Sequence, residues 1–242
     1  MIQDRLLYAS PSCLVLNKLP GEAVEGGGPG MGDLRVQAAS LEGGQPVHRL
    51  DTPVSGCVLF ARNPALAFLN KALAEGQIEK RYWAIVETPA DPGVLDRMRE
   101  PVHWIGRDSS ARGKRLNKSK AFAEPGPSRK KAVLRCRLAG RGERYLFLEI
   151  ELLTGRHHQI RAQLAALGLH IKGDLKYGAR RSDKNSACPD GYQGIRLHAR
   201  SLSFPDPDDS ARPRRRITVS APPVWDTLWK AFERAIIGEQ YE

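Results

Sequence analysis

The chain has 242 residues, 41% of them hydrophobic, which is enough apolar surface to close a core without a partner. Its 38 Lys and Arg against 27 Asp and Glu give a formal charge of +11, and this favours a polyanionic partner over a merely soluble basic protein. No stretch approaches the roughly 18 uninterrupted apolar residues of a spanning helix, and "MIQDRLLYAS" lacks the order of a signal peptide, so the sequence reads as that of a cytoplasmic protein without a membrane segment.

Taken in chain order, "LLYASPSCLVLNK" predicts two short strands around the turn "ASPS", and the glycine-rich "PGEAVEGGGPGMGD" that follows reads as a mobile loop. "GCVLFAR" predicts a strand, and "NPALAFLNKALAEG" a helix with Asn63 as cap, Pro64 at the first helical position and Gly76 as its stop. "KRYWAIVE" is the next strand. From about Pro101 to Lys131 the sequence is dense in cations and poor in periodicity, which predicts a surface excursion.

"KAVLRCRLAG" and "YLFLEIELLTG" predict a hairpin, with Leu146, Leu148, Ile150 and Leu152 alternating onto one covered face. "RHHQIRAQLAALG" carries Ile160, Leu164 and Leu167 at helical spacing with Gly168 as the stop. Two late strands, "GIRLHARSLSF" and "RRRITVSAPP", precede a C-terminal helix "VWDTLWKAFERAII" whose Trp225, Leu228, Trp229 and Phe232 form an apolar stripe. No repeat or linker interrupts this alternation, so the expectation is one α+β domain over residues 1–242 around a mixed, mostly antiparallel sheet.

Cys13, Cys57, Cys136 and Cys188 lack the paired spacing of a zinc or redox motif and read as reduced packing residues. His157 and His158, taken as neighbours on a helix, are expected to diverge by about 100° and to make poor joint metal ligands. No metal site is expected.

"HRLDTPVSG", residues 48–56, places an imidazole, a guanidinium and a carboxylate just before an apolar strand. Alone, Asp51 reads as a cap or half of a surface ion pair. Two further segments shift the balance: Lys80 and Tyr82 share one face of a strand, and Arg156 and Arg161 flank a helix start. An ionised carboxylate, an aromatic with a polar tip and fixed arginines are the parts of a site that holds a flipped base.

The chain resembles the RluA-type family of pseudouridine synthases. The resemblance rests on His48-Arg49-Leu50-Asp51 with Ser55-Gly56, Lys80-Arg81-Tyr82, Thr154-Gly155-Arg156-His157-His158-Gln159-Ile160-Arg161, Gly173-Asp174 with Tyr177-Gly178, and Leu197-His198-Ala199, in the family's order. It implies the pseudouridine synthase catalytic fold and an enzyme that breaks the uridine N-glycosidic bond, turns the uracil and rejoins it through carbon 5, with no cofactor or metal. It also implies that Asp51 is the essential aspartate, by attack on the base, attack on the sugar or removal of a sugar proton. A carboxylate kept ionised in a nearly dry pocket needs a fixed cation, and by family position that cation is Arg161. Tyr82 falls on the active-site tyrosine. Arg49 falls beside the extruded nucleotide, where it fills the vacated stack, grips a phosphate or forms a structural ion pair. His48 and Lys80 are placed with the RNA-binding residues, and Arg156 holds a backbone phosphate at the helix start.

Two departures stand out. Val54 replaces the family's usual threonine, and in Asn17-Lys18-Leu19-Pro20-Gly21 the proline comes one place late. A chain opening on the first catalytic-domain strand is expected to lack the small N-terminal RNA-binding domain of many relatives, so recognition is expected to fall to the catalytic domain. The cations between Arg112 and Lys131, Lys130 and Lys131 among them, together with Arg214 to Arg216, would then supply phosphate contacts rather than a merely solvated run. The expected partner is a stem-loop of ribosomal or transfer RNA, bound by a chain that needs to be no more than a monomer. The rival readings are a non-catalytic RNA-binding or RNA-remodelling protein on the same fold, and a hydrolase using His48 and Asp51, for which no activated nucleophile is evident.

Overall fold

The computed structural model describes residues 1–27, 32–109, 117–183, 194–211 and 213–238. In chain order the elements are β1 (Leu6–Ala9), β2 (Cys13–Lys18), α1 (Leu34–Ala39), β3 (Gln45–Pro46), β4 (Ser55–Ala61), α2 (Ala65–Ala74), β5 (Glu79–Glu87) and α3 (Val94–Arg97). They continue with β6 (Val102–Arg107), β7 (Ser119–Phe122), β8 (Lys130–Arg141), β9 (Tyr145–Leu152), α4 (Gln159–Ala166), β10 (Leu197–Pro205), β11 (Arg216–Ser220), α5 (Thr227–Lys230) and α6 (Glu233–Gly238). The chain forms two compact units, one built mainly from Met1–Arg81 and His198–Val224, the other from Tyr82–Lys184, Ile195–Leu197 and Trp225–Glu242. No helix among the described residues is long and apolar enough to cross a membrane.

In the first unit the strands run β1-β2-β4-β10, with β3 on β4 and β11 on β10. β2 lies antiparallel to β4 from Cys13 opposite Ala61 to Lys18 opposite Gly56, and both strands are almost wholly buried. That matches their unbroken apolar runs, since a strand covered on both faces does not alternate. α2 covers one face with Leu69 and Ala72 against Leu59, Phe204 and Val219. β4 and β10 pair in parallel, Ser55 with His198 and Gly56 with Ala199. The approach is so close that a Cβ on Gly56, whose φ is 114°, would lie 2.2 Å from the Ala199 carbonyl oxygen.

In the second unit the order is β5-β9-β8-β6-β7. β8 and β9 form the expected antiparallel hairpin, with an irregularity between Leu138 and Gly140. Trp83, Ile85, Phe147, Trp229 and Phe232 make one apolar cluster, and Ile105, Ala132, Ala162 and Tyr177 make another beneath α4. The mixed, mostly antiparallel α+β expectation therefore holds.

Several local expectations change. The stretch from Pro101 to Lys131 contains β6 and β7, paired from Trp104 opposite Phe122 to Arg107 opposite Ser119. Ile105 and Ala121 turn inward at the period of a strand, but the surrounding cations hide that short alternation. Arg112, Lys114 and Arg115 lie outside the described residues, as does Cys188, whereas Cys13, Cys57 and Cys136 are buried free thiols. Pro64 takes the cap of α2 and Ala65 begins the helix, one place later than expected. The C-terminal helix is two short ones, α5 and α6, and the first starts only at Thr227, where Asp226 caps it through the amides of Leu228 and Trp229. Trp225 precedes that cap, is 39% exposed and leaves the expected stripe. The glycine-rich segment ends at Asp33, which caps α1 through Val36 and also accepts from the amides of Gly26 and Gly27.

Gly56→Ala is expected to destabilise the protein by at least about 2 kcal/mol in urea unfolding, combining an unfavourable φ with a backbone clash. Gly76→Ala, at φ 73° with nothing within 4 Å of the added carbon, should cost only about 1 kcal/mol. Equal losses would remove the close β4–β10 approach as the cause.

Candidate active site

In the first unit the segment His48–Gly56 is held at both ends by hydrogen bonds. His48 Nε2 accepts the Leu59 amide at 3.2 Å, so its proton sits on Nδ1, and burial followed by the charge of Lys80 lowers its pKa to about 3. A neutral imidazole with its ring nitrogen so used braces the strand and offers no charge to a phosphate. Lys80 is itself shifted down by burial. Arg49 is exposed and reaches Glu25 at 3.3 Å, an open ion pair at the rim.

Asp51, partly buried, opens a turn closed by the Val54 amide on its carbonyl at 2.9 Å. The next carbonyl, Thr52, accepts from the Gly21 amide at 2.8 Å and from Lys18 Nζ at 2.9 Å. Lys18 has no exposed surface and also donates to the Leu19 carbonyl at 2.8 Å. A buried ammonium needs fixed oxygens, and this one anchors the peptide following Asp51. Val54 is 3% exposed. Its position is served by its backbone amide and by packing, and the turn closes through Thr52 and Lys18 without a hydroxyl at that residue.

Downstream, Ser55 Oγ lies 2.9 Å from His198 Nδ1, and His198 Nε2 lies 3.0 Å from the Ala221 carbonyl. A carbonyl only accepts, so Nε2 carries the proton and Ser55 donates to Nδ1. Burial lowers the His198 pKa to about 4. The "SG" and "LHA" motifs are thus two sides of one contact.

In the second unit Tyr82 is 7% exposed on β5. Arg161, on α4, gives Nε and Nη2 to the two carboxylate oxygens of Asp174 at 2.7 and 2.8 Å, a bidentate pair whose members are both buried. Its guanidinium also lies 4.9 Å from the centre of the Tyr177 ring. The Tyr177 hydroxyl accepts the Ser119 amide and donates to the Ser119 carbonyl, both at 3.0 Å, and stands 2.9 Å from His158 Nδ1. "GDLKYG" therefore supports "TGRHHQIR" through Asp174 and Tyr177.

His157 and His158 do not diverge as helix neighbours. His158 precedes α4 with φ 54°, outside the helix, and the two rings stack at 3.8 Å. His157 Nδ1 meets Ser119 Oγ at 2.9 Å, and burial, followed by the charge of Arg161, lowers His158 to about 2. Gln159 closes the preceding turn, accepting from Thr154 Oγ1 at 2.8 Å and the Arg156 amide at 3.0 Å while donating to Val133 at 3.1 Å. Arg156 is exposed and donates through Nε to the Lys131 carbonyl at 3.0 Å; Lys130 and Lys131 are exposed on β8.

Of the expected residues, the first unit holds His48, Arg49, Asp51 and Lys80, and the second holds Tyr82, Lys130, Lys131, Arg156 and Arg161. Lys18, Asp174, Gln159, Ser119 and the Ser55–His198 pair were missed as supports. All but Ser119 lie within or beside quoted motifs, but a motif does not say which residue its side chain meets.

A family model described as RNA pseudouridylate synthase matches residues 12–166. An uncharacterized RNA pseudouridine synthase of Zymomonas mobilis is 31% identical over 96% of this chain and 97% of its own length. The tRNA pseudouridine synthase C of Haemophilus ducreyi is 29% identical over 77% of this chain and 76% of its own. The ribosomal large subunit pseudouridine synthase C of Escherichia coli is 32% identical over 85% of this chain, which spans only 63% of that protein. In structure, the human RNA pseudouridylate synthase domain containing 4 superposes with a TM-score of 0.68 over 97% of this chain and 94% of its own at 20% identity, a likeness of fold.

Removing Asp174 (Asp174→Ala) leaves a buried guanidinium without its carboxylate and is expected to cost about 3–5 kcal/mol in urea unfolding. His198 is neutral when folded, with its pKa near 4 against 6.5 unfolded. Below pH 6.5 the unfolded chain binds the proton and the folded chain does not, so stability present above that pH is lost as pH falls toward 4, at about 1.4 kcal/mol per unit. His198→Gln should lower the proton uptake on unfolding by about one between pH 5 and 6; unchanged uptake would mean that His198 is not the group responsible.

Proposed function

The chain belongs to the RNA pseudouridylate synthase family, and from that membership we propose how its own residues isomerise uridine in RNA. Asp51 is the essential carboxylate, acting on the base, on the sugar carbon or on a sugar proton of the extruded uridine. Tyr82 stacks on the uracil and brings its phenol to the reacting sugar, and Arg161 keeps the aspartate ionised. The observation that carries this reading is the anchoring of the Asp51 turn, where Thr52 is gripped by Lys18 and Gly21 and Ser55 by His198. A group that must meet one carbon atom gains from a backbone that cannot drift. The bidentate Asp174 pair supports Arg161 in its role by holding the guanidinium in one orientation.

Arg49, exposed at the rim, supplies the contact to the vacated stack or a neighbouring phosphate, and Arg156, Lys130 and Lys131 bind the RNA backbone. His48 and Lys80 serve RNA binding indirectly, His48 by bracing the strand that follows the Arg49 turn. The substrate is a stem-loop of ribosomal or transfer RNA, both classes appearing among the relatives, and the reaction runs in the cytoplasm. The match to residues 12–166 runs through parts of both units, which supports one catalytic domain. The simultaneous presence of Asp51, Tyr82 and Arg161 favours catalysis over RNA binding alone.

Asp51→Asn should abolish pseudouridine formation in RNA from a strain lacking the gene while leaving RNA affinity within about twofold, since the phosphate contacts stay in place. Isomerisation at the normal rate would overturn the role given to Asp51. Wild-type protein that binds RNA yet forms no pseudouridine would instead favour the non-catalytic reading.

A further inference from the structure

The second unit contains an open cleft of about 360 Å³, within the size range of ligand sites, that includes none of Asp51, Tyr82 and Arg161. Its origin follows from strand geometry. Residues two apart on a strand share a face, and so do residues directly opposite on neighbouring strands. Ile105 and Arg107 on β6, Ser119 opposite Arg107 on β7, and Lys130 opposite Ile105 on β8 therefore share one face. α4 packs on β6 and β7 and buries the inner part of that face, where Ile105 and Ala132 meet Ala162. Toward the end of the hairpin the helix has not yet begun, and the turn before it supplies Gly155, Arg156 and His157 as the opposite wall. An apolar sheet face thus becomes a polar notch at its rim.

The chemistry of that notch is one-sided. Arg107, Lys118, Lys130 and Arg156 line it, and among the described residues none of its lining is acidic. Lys118 is already drawn toward Asp108 at 3.9 Å. Arg107, Lys130 and Arg156 are exposed, so they keep their hydration until a ligand arrives. The walls are fixed: Ser119 is held by His157 through its hydroxyl and by Tyr177 through its backbone, and Arg156 is held by Lys131. Three cations beside hydroxyl and imidazole donors suit an oxyanion with its attached sugar, and the open side suits a strand that continues past it.

We propose that this cleft seats a backbone phosphate of the RNA substrate, with Arg107 as an anchor alongside Lys130 and Arg156. The assignment rests on the RNA-modifying function stated above and adds Arg107 and a defined seat to it. The seat has a second consequence, because Tyr177, which holds its Ser119 wall, also lies under the Arg161 guanidinium. The phosphate seat and the arginine of the reaction thus share one rigid support.

The test measures fluorescence anisotropy of labelled, unfractionated transfer RNA with the full chain, from about 50 to about 200 mM KCl. Arg107→Ala/Lys130→Ala should weaken binding and lower the slope of log affinity against log salt by about 1.4–1.8, the share of two phosphate contacts. Arg97→Ala/Arg135→Ala removes the same charge from side chains paired with Asp91 and Glu100, and should leave the slope unchanged. Equal slopes for all three proteins would overturn the seat. An unchanged slope together with loss of the thermal stabilisation given by inorganic phosphate would make it a free-anion site and also overturn the proposal. Asp51→Asn run in parallel separates the two assignments: should it still isomerise uridine, the catalytic reading falls while the cleft result stands.

Discussion

A cation taken out of water must be met by oxygen atoms that cannot move away, and both units of this protein are organised around that constraint. In the first, Lys18 is wholly buried and its ammonium binds the carbonyls of Leu19 and Thr52. The second carbonyl is one peptide beyond Asp51, so burying the lysine sets the turn that carries the carboxylate. In the second, Arg161 is buried against both oxygens of Asp174. Moving either cation would strand a buried charge.

The motifs make physical sense as pairs. "SG" meets "LHA" where Gly56 and Ala199 approach too closely for a side chain and Ser55 donates to His198. "TGRHHQIR" meets "GDLKYG" through Asp174 on Arg161 and through the Tyr177 hydroxyl on His158. His48 and His198 stay neutral because burial disfavours the imidazolium and because one ring nitrogen of each must accept a hydrogen bond. Their histidines are braces for loops, which explains why chemistry-bearing residue types recur beyond the groups assigned to the reaction.

The substitution at Val54 follows the same logic. A threonine hydroxyl is one way to close a turn before a strand; here the turn is closed by the Val54 amide on Asp51 and by Lys18 and Gly21 on Thr52, and the valine side chain joins the apolar interior. The cationic hairpin illustrates a different trade. Ile105 and Ala121 turn toward α4, while Arg107 and Lys120 on the same two strands stay exposed.

By itself the sequence determined the family, the order of strands and helices through most of the chain, the antiparallel hairpin of β8 and β9, and the basic character that RNA binding needs. Those signals are local or cumulative: apolar periodicity repeats within an element, and charge adds up whatever the fold. Tertiary structure alone decided that Asp174 is the partner that orients Arg161, that Lys18 grips the Asp51 turn, that His157 and His158 stack, and that Arg107 faces a cleft with Lys130 and Arg156. Each of these joins residues distant in the chain or depends on one dihedral angle, and periodicity does not specify which buried donor will meet which acceptor.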